Sequence, residues 1–476
     1  MTNTKMTNYR WTICSLLFFA TTINYLDRQV LSLTWTDWIA PEFHWTNSNY
    51  GDITSIFSLA YAISMLFAGR FVDWLGTKKG FLWAIGIWSI GACIHALCGI
   101  GTSGIVAGKW MVGFEGAKEA LSTVQDITKV TTVSVTLFIF SRIVLALGEA
   151  GNFPAAIKAT AEYFPKKARG FATSIFNAGA TIGALAAPLT IPVIAKHYGW
   201  EMSFIIIGAL GFIWMGFWVF VYKKPEANPK VNAEELAYIQ QDDAEVNGQS
   251  TDQAKKIPFL KILSYKQTWA FAVGKFMTDG VWWFFLFWTP AYLKSVYGLD
   301  SLQSRPQIFT LYLITLLSII GGWLPTYFVE KKNMNPYAGR MKAMLIFAFF
   351  PLLGLLAQPL GHYSVWIPVI IIGIAGAAHQ AWSANIFSTI GDMFPKSAIA
   401  TVTGIGGMAG GIGSYLINKG SGKLFDHAAT TNMSFMGFEG IKAGYFIIFS
   451  ICAVAYLIGW SIMKSLVPKY KPITDI

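Results

Sequence analysis

Stretches of about twenty predominantly apolar residues, the length an α-helix needs to cross the hydrocarbon core of a bilayer, recur along nearly the whole chain. Composition agrees: of 476 residues, 54% are hydrophobic and 13% charged, where soluble domains carry about 25% charged residues. Such a chain is expected to be an all-α polytopic membrane protein rather than a string of soluble domains. Windows of that length place helices near 12–36, 50–71, 81–101, 134–157, 170–193 and 200–222. A second set falls near 268–293, 306–329, 339–360, 364–393, 398–419 and 442–464. Between the sets, residues 223–266 hold Pro225, Pro229, Glu234, Glu235, Asp242, Asp243, Glu245, Lys255 and Lys256, the composition of a polar linker with room for a short amphipathic helix. The expected division is therefore an N-terminal bundle over 1–222, a linker over 223–266 and a C-terminal bundle over 267–476. Twelve transmembrane helices in two six-helix bundles is a layout of transporters built from structural repeats.

The formal net charge is +11, yet the basic residues form no continuous face for nucleic acid. They sit in clusters such as Arg70, Lys78 and Lys79, Lys158 to Arg169, Lys223 and Lys224, Lys331 to Lys342, and Lys464 to Lys471, and Lys5 and Arg10 precede the first run. With the N-terminus inside, these clusters fall on the cytoplasmic side, so a plasma (inner) membrane protein with both termini cytoplasmic is expected. Cys14, Cys93, Cys98 and Cys452 lie within apolar stretches, lack metal-ligand spacing and read as small buried hydrophobes. The basic N-terminus resembles a signal peptide, but no small-residue cleavage site follows, and Asp27 and Arg28 interrupt the run; a retained first helix is expected.

Charges inside a bilayer cost roughly 2.5 to 3.5 kcal/mol each on insertion scales, so those present are functional candidates. The first run contains Asn24-Tyr25-Leu26-Asp27-Arg28. Adjacent helical residues point about 100° apart, so Asp27 and Arg28 need not neutralise each other. In the fourth run Arg142 and Glu149 stand two turns apart on one face, and Gly148, Ala150 and Gly151 permit close helix contact around the carboxylate. Desolvation favours a neutral Glu149 and a nearby arginine a charged one, a balance that suits a proton carrier; a structural ion-pair network is the alternative.

After the second run comes Gly69-Arg70-Phe71-Val72-Asp73-Trp74-Leu75-Gly76-Thr77-Lys78-Lys79. Its pattern and position resemble the signature of the major facilitator superfamily. Physically it is a tight turn at Gly76, with Asp73 available to a neighbouring helix N-terminus and basic residues holding the inner face. The corresponding loop of the second half, from Gly321-Gly322 to Lys331, Lys332 and Arg340, is degenerate. Asn24 to Arg28, the Arg142-to-Glu149 spacing, Gly148-Glu149-Ala150 and Phe164-Pro165 resemble the anion:cation symporter family within that superfamily. Ala378-His379-Gln380-Ala381, Asp392-Met393-Phe394, Phe176-Asn177-Ala178-Gly179 and Gly321 to Pro325 look like bacterial hexuronate transporters. The resemblance implies proton-coupled import of a sugar acid such as glucuronate or galacturonate, with Asp27 and Glu149 as proton sites; the same fold carrying another organic anion, such as an aldonate, tartrate or phosphate, is the alternative. It also implies that Arg28 anchors the substrate carboxylate and that Arg142 couples the two acids.

One departure from the family, which has a short loop here, is the longer outer loop expected over 102–133, which holds Lys109, Glu115, Lys118, Glu119, Asp126 and Lys129. Within it, Gly113 to Lys118 nearly repeats as Gly437 to Lys442. The repeat is either coincidence or a pair that meets across the outer entrance. In the tenth run His379, Gln380, Ser383 and Asn385 offer groups for a polyol, with His379 and Ser383 on one face; a packing hydrogen bond is the alternative for His379. Lys275 and Asp279 form a self-satisfied pair, or else Lys275 meets the anion. Tyr25, Tyr61 and Asn177 are expected sugar contacts, whereas Trp282, Trp283 and Trp288 read as packing or interface anchors. The glycines at 404, 406, 407, 410 and 411 allow close approach in the eleventh run. With no nucleophile, metal motif or signalling domain in view, the expectation is a monomeric transporter rather than an enzyme or a sensor, using protons as its coupling ion and no cofactor.

Overall fold

Backbone polar groups in hydrocarbon must be satisfied within their own segment, and in this computed structural model, which describes residues 6–241 and 259–473, each apolar window is helical. The first half contains α1 (Tyr9–Thr34), α2 (Asn47–Leu75), α3 (Thr77–Ala107), α4 (Gly113–Ser122), α5 (Ile127–Glu149), α6 (Asn152–Tyr163), α7 (Lys166–Tyr198) and α8 (Trp200–Val221). A short linker helix, α9 (Ala233–Ile239), follows. The second half contains α10 (Lys266–Tyr297), α11 (Arg305–Thr315), α12 (Ile320–Lys332), α13 (Pro336–Phe349), α14 (Gly354–Leu360), α15 (Trp366–Met393), α16 (Lys396–Thr430) and α17 (Ile441–Leu466). Among the described residues, nine segments are long and apolar enough to cross a membrane: α2, α3, α5 with α6, α7 from Phe171, α8, α11 with α12, α13 with α14, α15, and α17. The remaining long helices, α1, α10 and α16, run 26, 32 and 35 residues and carry the polar and glycine-rich stretches singled out above.

Helices pack first within each half. In the first, α3 lies against α5 and α8, and α1 against α7 and α8; in the second, α10 lies against α16 and α17, and α15 against α11 and α13. The halves meet where α2 packs along α16 and α7 along α11. Small residues set these distances: a Cβ on Gly148 would stand 2.3 Å from the Trp88 amide nitrogen of α3, and one on Gly411 would stand 2.2 Å from the Ala62 Cβ of α2. The glycines of α16 thus provide the close approach expected of them.

Four expectations are refined. The segment 102–133 is not a loop: α3 runs on to Ala107, α4 fills the middle and α5 begins at Ile127. Its docking is hydrophobic, through buried Ala117 and Leu121, and ionic, through Lys118 to Glu201 at 3.3 Å. The span expected over 134–157 lies within one stretch from Ile127 to Tyr163, which turns at Ala150 and Gly151 between α5 and α6. The near-repeat is one of sequence only: 113–118 is helical, whereas Phe438 and Glu439 pair with Phe435 and Ser434 in a two-stranded hairpin, with Gly437 and Gly440 at φ 85° and 57°. Finally, α1 does not stop near 36 but continues as a π-helical turn over Trp35–Ile39, a feature that marks functional sites more often than chance.

Of the linker, residues 242–258 lie outside the described residues, as does Lys5. The part before them is fastened to the first half. Glu235 is fully buried and accepts hydrogen bonds from the Tyr9 and Arg10 amides, both at 3.0 Å, and from Arg10 Nη1 at 2.9 Å. One carboxylate therefore caps α1, whose own N-cap residue supplies no side-chain bond.

Candidate functional site

Midway along α1 the chain places Asp27 and Arg28, 1% and 4% exposed, inside the first half. Arg28 does not pair with its neighbour. It crosses to α5, donating from Nε and Nη2 to Glu149 Oε2 at 2.9 and 2.6 Å. Gly148 makes this possible by letting α5 touch the α3 backbone, which seats Glu149 in the bundle. The guanidinium is enclosed by three rings: Tyr25 at 5.1 Å, Tyr61 at 4.9 Å and Trp283 at 4.9 Å from their centroids. Desolvated cation–π contacts contribute about 2 kcal/mol or more, so the cage holds the charge firmly. Trp283 comes from α10, so one arginine touches both halves.

Arg28, rather than Arg142, is the residue hydrogen-bonded to Glu149. Arg142, 1% exposed, lies over the Phe57 ring at 5.2 Å. Two turns of α5 do bring Arg142 and Glu149 into one buried region with Asp27, as their spacing requires. Tyr25 and Tyr61 join the Arg28 cluster, while Asn177 is exposed on α7 and makes no hydrogen bond among the described residues.

The second half contributes a separate polar group. Lys275 Nζ stands 2.7 Å from Asp279 Oδ2, the self-satisfied pair, with Phe387 under the ammonium at 4.4 Å. His379 is 4% exposed, stacks on Trp282 with ring centroids 5.5 Å apart, and lies 2.8 Å from the Tyr456 hydroxyl through Nδ1. That is the packing alternative for His379. Asn385 Nδ2 is spent on the carbonyls of Gly321 and Ala381, both at 2.8 Å, and so ties α15 to α12 rather than offering a free donor. Gln380 and Ser383 are half-buried on α15. Trp283, read from sequence as packing, is the residue that reasoning missed; its spacing of four from Asp279 and eight from Lys275, one face of α10, was the available signal.

At the outer ends the halves are latched. Lys294 of α10 pairs with Asp37 in the π-helical turn, and the Ser301 amide donates to the other Asp37 oxygen at 2.7 Å. Asp426 of α16 accepts from the Asn47 and Ser48 amides at 3.0 and 2.6 Å, capping α2. Below these, Trp35 stacks on Tyr50 at 4.0 Å, the Tyr50 hydroxyl donates to the Phe287 carbonyl at 2.9 Å, and Ser414 donates to Ser58 at 2.9 Å. At the cytoplasmic end of the first half Gly76 makes the expected turn at φ 77° between Gly69 and Lys79. Asp73, however, meets Lys158 Nζ at 2.8 Å rather than a helix terminus. Lys78 donates to the Val219 carbonyl at 2.7 Å. The loop of the second half, degenerate in sequence, keeps a clamp of its own: Arg340 holds Asp392 at 2.7 and 3.3 Å through two nitrogens.

Outside the membrane, Glu42 accepts from Trp200 Nε1 at 2.8 Å beside Lys118, Glu115 and Glu201. Its carboxyl is pushed up to about 7 from 4.5, chiefly by burial, against the opposing Trp200 bond and Lys118. A raised folded-state value means stability that is complete below about 4.5 and lost as pH rises through about 7. The amount is up to about 3 kcal/mol. Thermal unfolding in detergent is therefore expected to show a wild-type midpoint that falls between pH 5 and pH 8, and a Glu42→Gln midpoint that does not. Parallel pH dependence in the two would remove Glu42 as its source.

Comparison with known proteins supplies the family. The sequence profile of the Major Facilitator Superfamily matches residues 17–417. The hexuronate transporter of Escherichia coli K12 is 28% identical, over 97% of this chain and 95% of its own. A bacterial homologue of the human lysosomal transporter Spinster, solved inward-facing and unoccupied, superposes with a TM-score of 0.69 at 16% identity, over 98% of this chain and 99% of that one. A D-xylose–proton symporter superposes with a TM-score of 0.66 at 16% identity, over 98% of each chain. With its buried charges, its helices of membrane-spanning length and the signature turn at Gly76, the chain belongs to the major facilitator superfamily and is a multi-pass membrane transporter related to bacterial hexuronate and sugar-acid transporters.

Proposed function

We propose that the protein imports a hexuronate, glucuronate or galacturonate, together with protons, by alternating access of two six-helix bundles in the plasma membrane. In this reading α1, α10 and α16 complete twelve spans, residues 1–222 and 267–476 are the bundles, and the chain acts as a monomer. The observation that carries it is Arg28, buried, caged by aromatic rings from both halves and bonded to Glu149. A planar guanidinium binds a carboxylate through two parallel donors. Glu149 engages that guanidinium, so substrate and Glu149 compete for one cation. Protonation of Glu149 removes its charge and frees the fork for the substrate. Tyr25, Tyr61 and Trp283 offer ring faces to the sugar, and Gln380 and Ser383 offer hydroxyl partners. In the loaded carrier, with Glu149 and Asp27 neutral, the substrate is the one anion facing Arg28 and Arg142, so the site reorients with one net positive charge and without two buried carboxylate charges. In this reading the Asp37–Lys294 pair and the Asp426 cap on α2 are the contacts that close the outer side and part when it opens.

The test is uptake of labelled glucuronate and galacturonate by purified protein in lipid vesicles, with and without an imposed proton gradient. Concentrative uptake that needs the gradient is expected; uptake indifferent to it would end the symport reading. Voltage adds a stoichiometric test. If Asp27 and Glu149 each carry a proton with one monoanion, one net positive charge enters per cycle, and each 100 mV of inside-negative potential adds about 2.3 kcal/mol to accumulation. Varying a potassium diffusion potential at a fixed pH difference should therefore raise the accumulation steeply. A flat response would leave one coupling carboxylate, and Glu149, the one on the fork, is the one retained.

A further inference from the structure

Five buried side chains of α1, α5 and the start of α6, the helices that carry or adjoin the Arg28–Glu149 bond, hold polar atoms that the described residues leave unspent. Asn24 and Asn152 are 0% exposed, and all four of their amide atoms lack a hydrogen-bond partner among the described residues. The same holds for both oxygens of Asp27, for Nε and Nη1 of Arg142, and for Oε1 of Glu149. Each of these residues is at most 1% exposed. Asn24 stands one helical turn before Asp27 on α1, and Asn152 stands three residues after Glu149, just beyond the break between α5 and α6. Both asparagines thus lie on the cytoplasmic side of a carboxylate, and α1 packs against α6. Asp27, Arg142, Arg28 and Glu149 are within electrostatic range of one another. Donors and acceptors are mixed: amide and guanidinium N–H groups against carboxylate and amide oxygens.

Left unpaired, a buried polar group costs about 1 to 3 kcal/mol, more when charged, and native interiors satisfy such groups with ordered water. We propose that Asn24, Asp27, Arg142, Glu149 and Asn152 bind a cluster of internal water molecules that joins the two carboxylates into one proton-conducting network. At about three hydrogen bonds per buried water, the unspent atoms fit on the order of three molecules. The inference rests on the symport reading and extends it, giving Asn24 and Asn152 positioning roles. Each step is a transfer in which a carboxyl O–H breaks, a water oxygen takes the proton and that water passes another of its own protons onward, leaving a carboxylate behind. No oxidant or further reactant is needed. The titratable groups facing the cluster are Tyr25 and Arg28 of α1, Tyr50 and Tyr61 of α2, and Cys93 and His95 of α3.

The experiment uses full-length protein in lipid vesicles with labelled glucuronate as the probe, comparing wild type with Asn24→Leu and Asn152→Leu. Leucine fills the space without the amide. Counterflow exchanges substrate without requiring net proton release, and it reports folding and binding. Net uptake driven by a pH gradient should fall at least about tenfold in each leucine variant, the order lost with a hydrogen bond to a charged partner. Counterflow should change less than twofold, and serine at the same positions should restore part of the net rate. In D2O the net rate of the leucine variants should slow more than that of wild type. Equal losses in net uptake and counterflow, or no loss in either, would overturn the network while leaving symport intact. A wild type with no proton dependence would overturn symport and network together.

Discussion

Arg28→Lys is expected to lose at least about ten- to a hundredfold in uptake efficiency while keeping its positive charge. The guanidinium uses Nε and Nη2 together on one carboxylate oxygen and lies against three ring faces at about 5 Å. An ammonium is a compact point charge with no planar fork and stacks poorly. Hydrogen bonds to charged groups contribute about 1.5 to 3 kcal/mol each, which sets the range. A lysine at this position still neutralises Glu149 in part, so the expected defect lies in substrate affinity more than in insertion or folding. The measurement is the concentration dependence of counterflow in vesicles, with the amount of inserted protein equalised. Wild-type half-saturation in the lysine variant would take Arg28 out of substrate binding and leave it as the counter-charge of Glu149.

The residues of this cluster were legible in the sequence because hydrocarbon makes charge expensive: Asp27, Arg28, Arg142 and Glu149 stand out in runs of apolar side chains. Helical spacing also gave the shared face of Arg142 and Glu149, the Lys275–Asp279 pair and the Gly76 turn. What spacing cannot give is the neighbour across a helix interface. Arg28 and Glu149 are 121 residues apart, and their bond depends on how α1 and α5 are rotated against each other. The same limit hid Trp283 in the cage, Lys294 on Asp37 and Asp392 on Arg340. Hydropathy blurred local breaks as well: Ala150 and Gly151 are apolar enough to read as continuous span, yet they separate α5 from α6 beside the carboxylate. The helical form of 102–133 was missed because its charges, Lys118 above all, read as loop until Glu201 and the buried Leu121 show what they face.

Glu149→Gln tests the coupling directly, because glutamine is the permanent counterpart of the protonated acid. Its amide oxygen can still accept from the charged Arg28, but the acceptor has lost its own charge, so the ion pair becomes a weaker charge–dipole bond. The fork is then open to substrate at any pH. Counterflow by this variant is expected to persist with equal or lower half-saturation and to lose the pH dependence that protonation of Glu149 gives wild-type exchange. Accumulation against a gradient should disappear, since no proton leaves residue 149 on the cytoplasmic side to drive the empty carrier back. Removing one partner of a buried ion pair costs about 3 to 5 kcal/mol when the other charge is left bare, so retained counterflow is also the check that the variant is folded. In a carrier whose acids are only structural, the same substitution would lower counterflow and accumulation together. Concentrative uptake by the glutamine variant would assign the coupling proton elsewhere, with Asp27, buried one residue from Arg28 and without a hydrogen-bond partner among the described residues, as the group to substitute next.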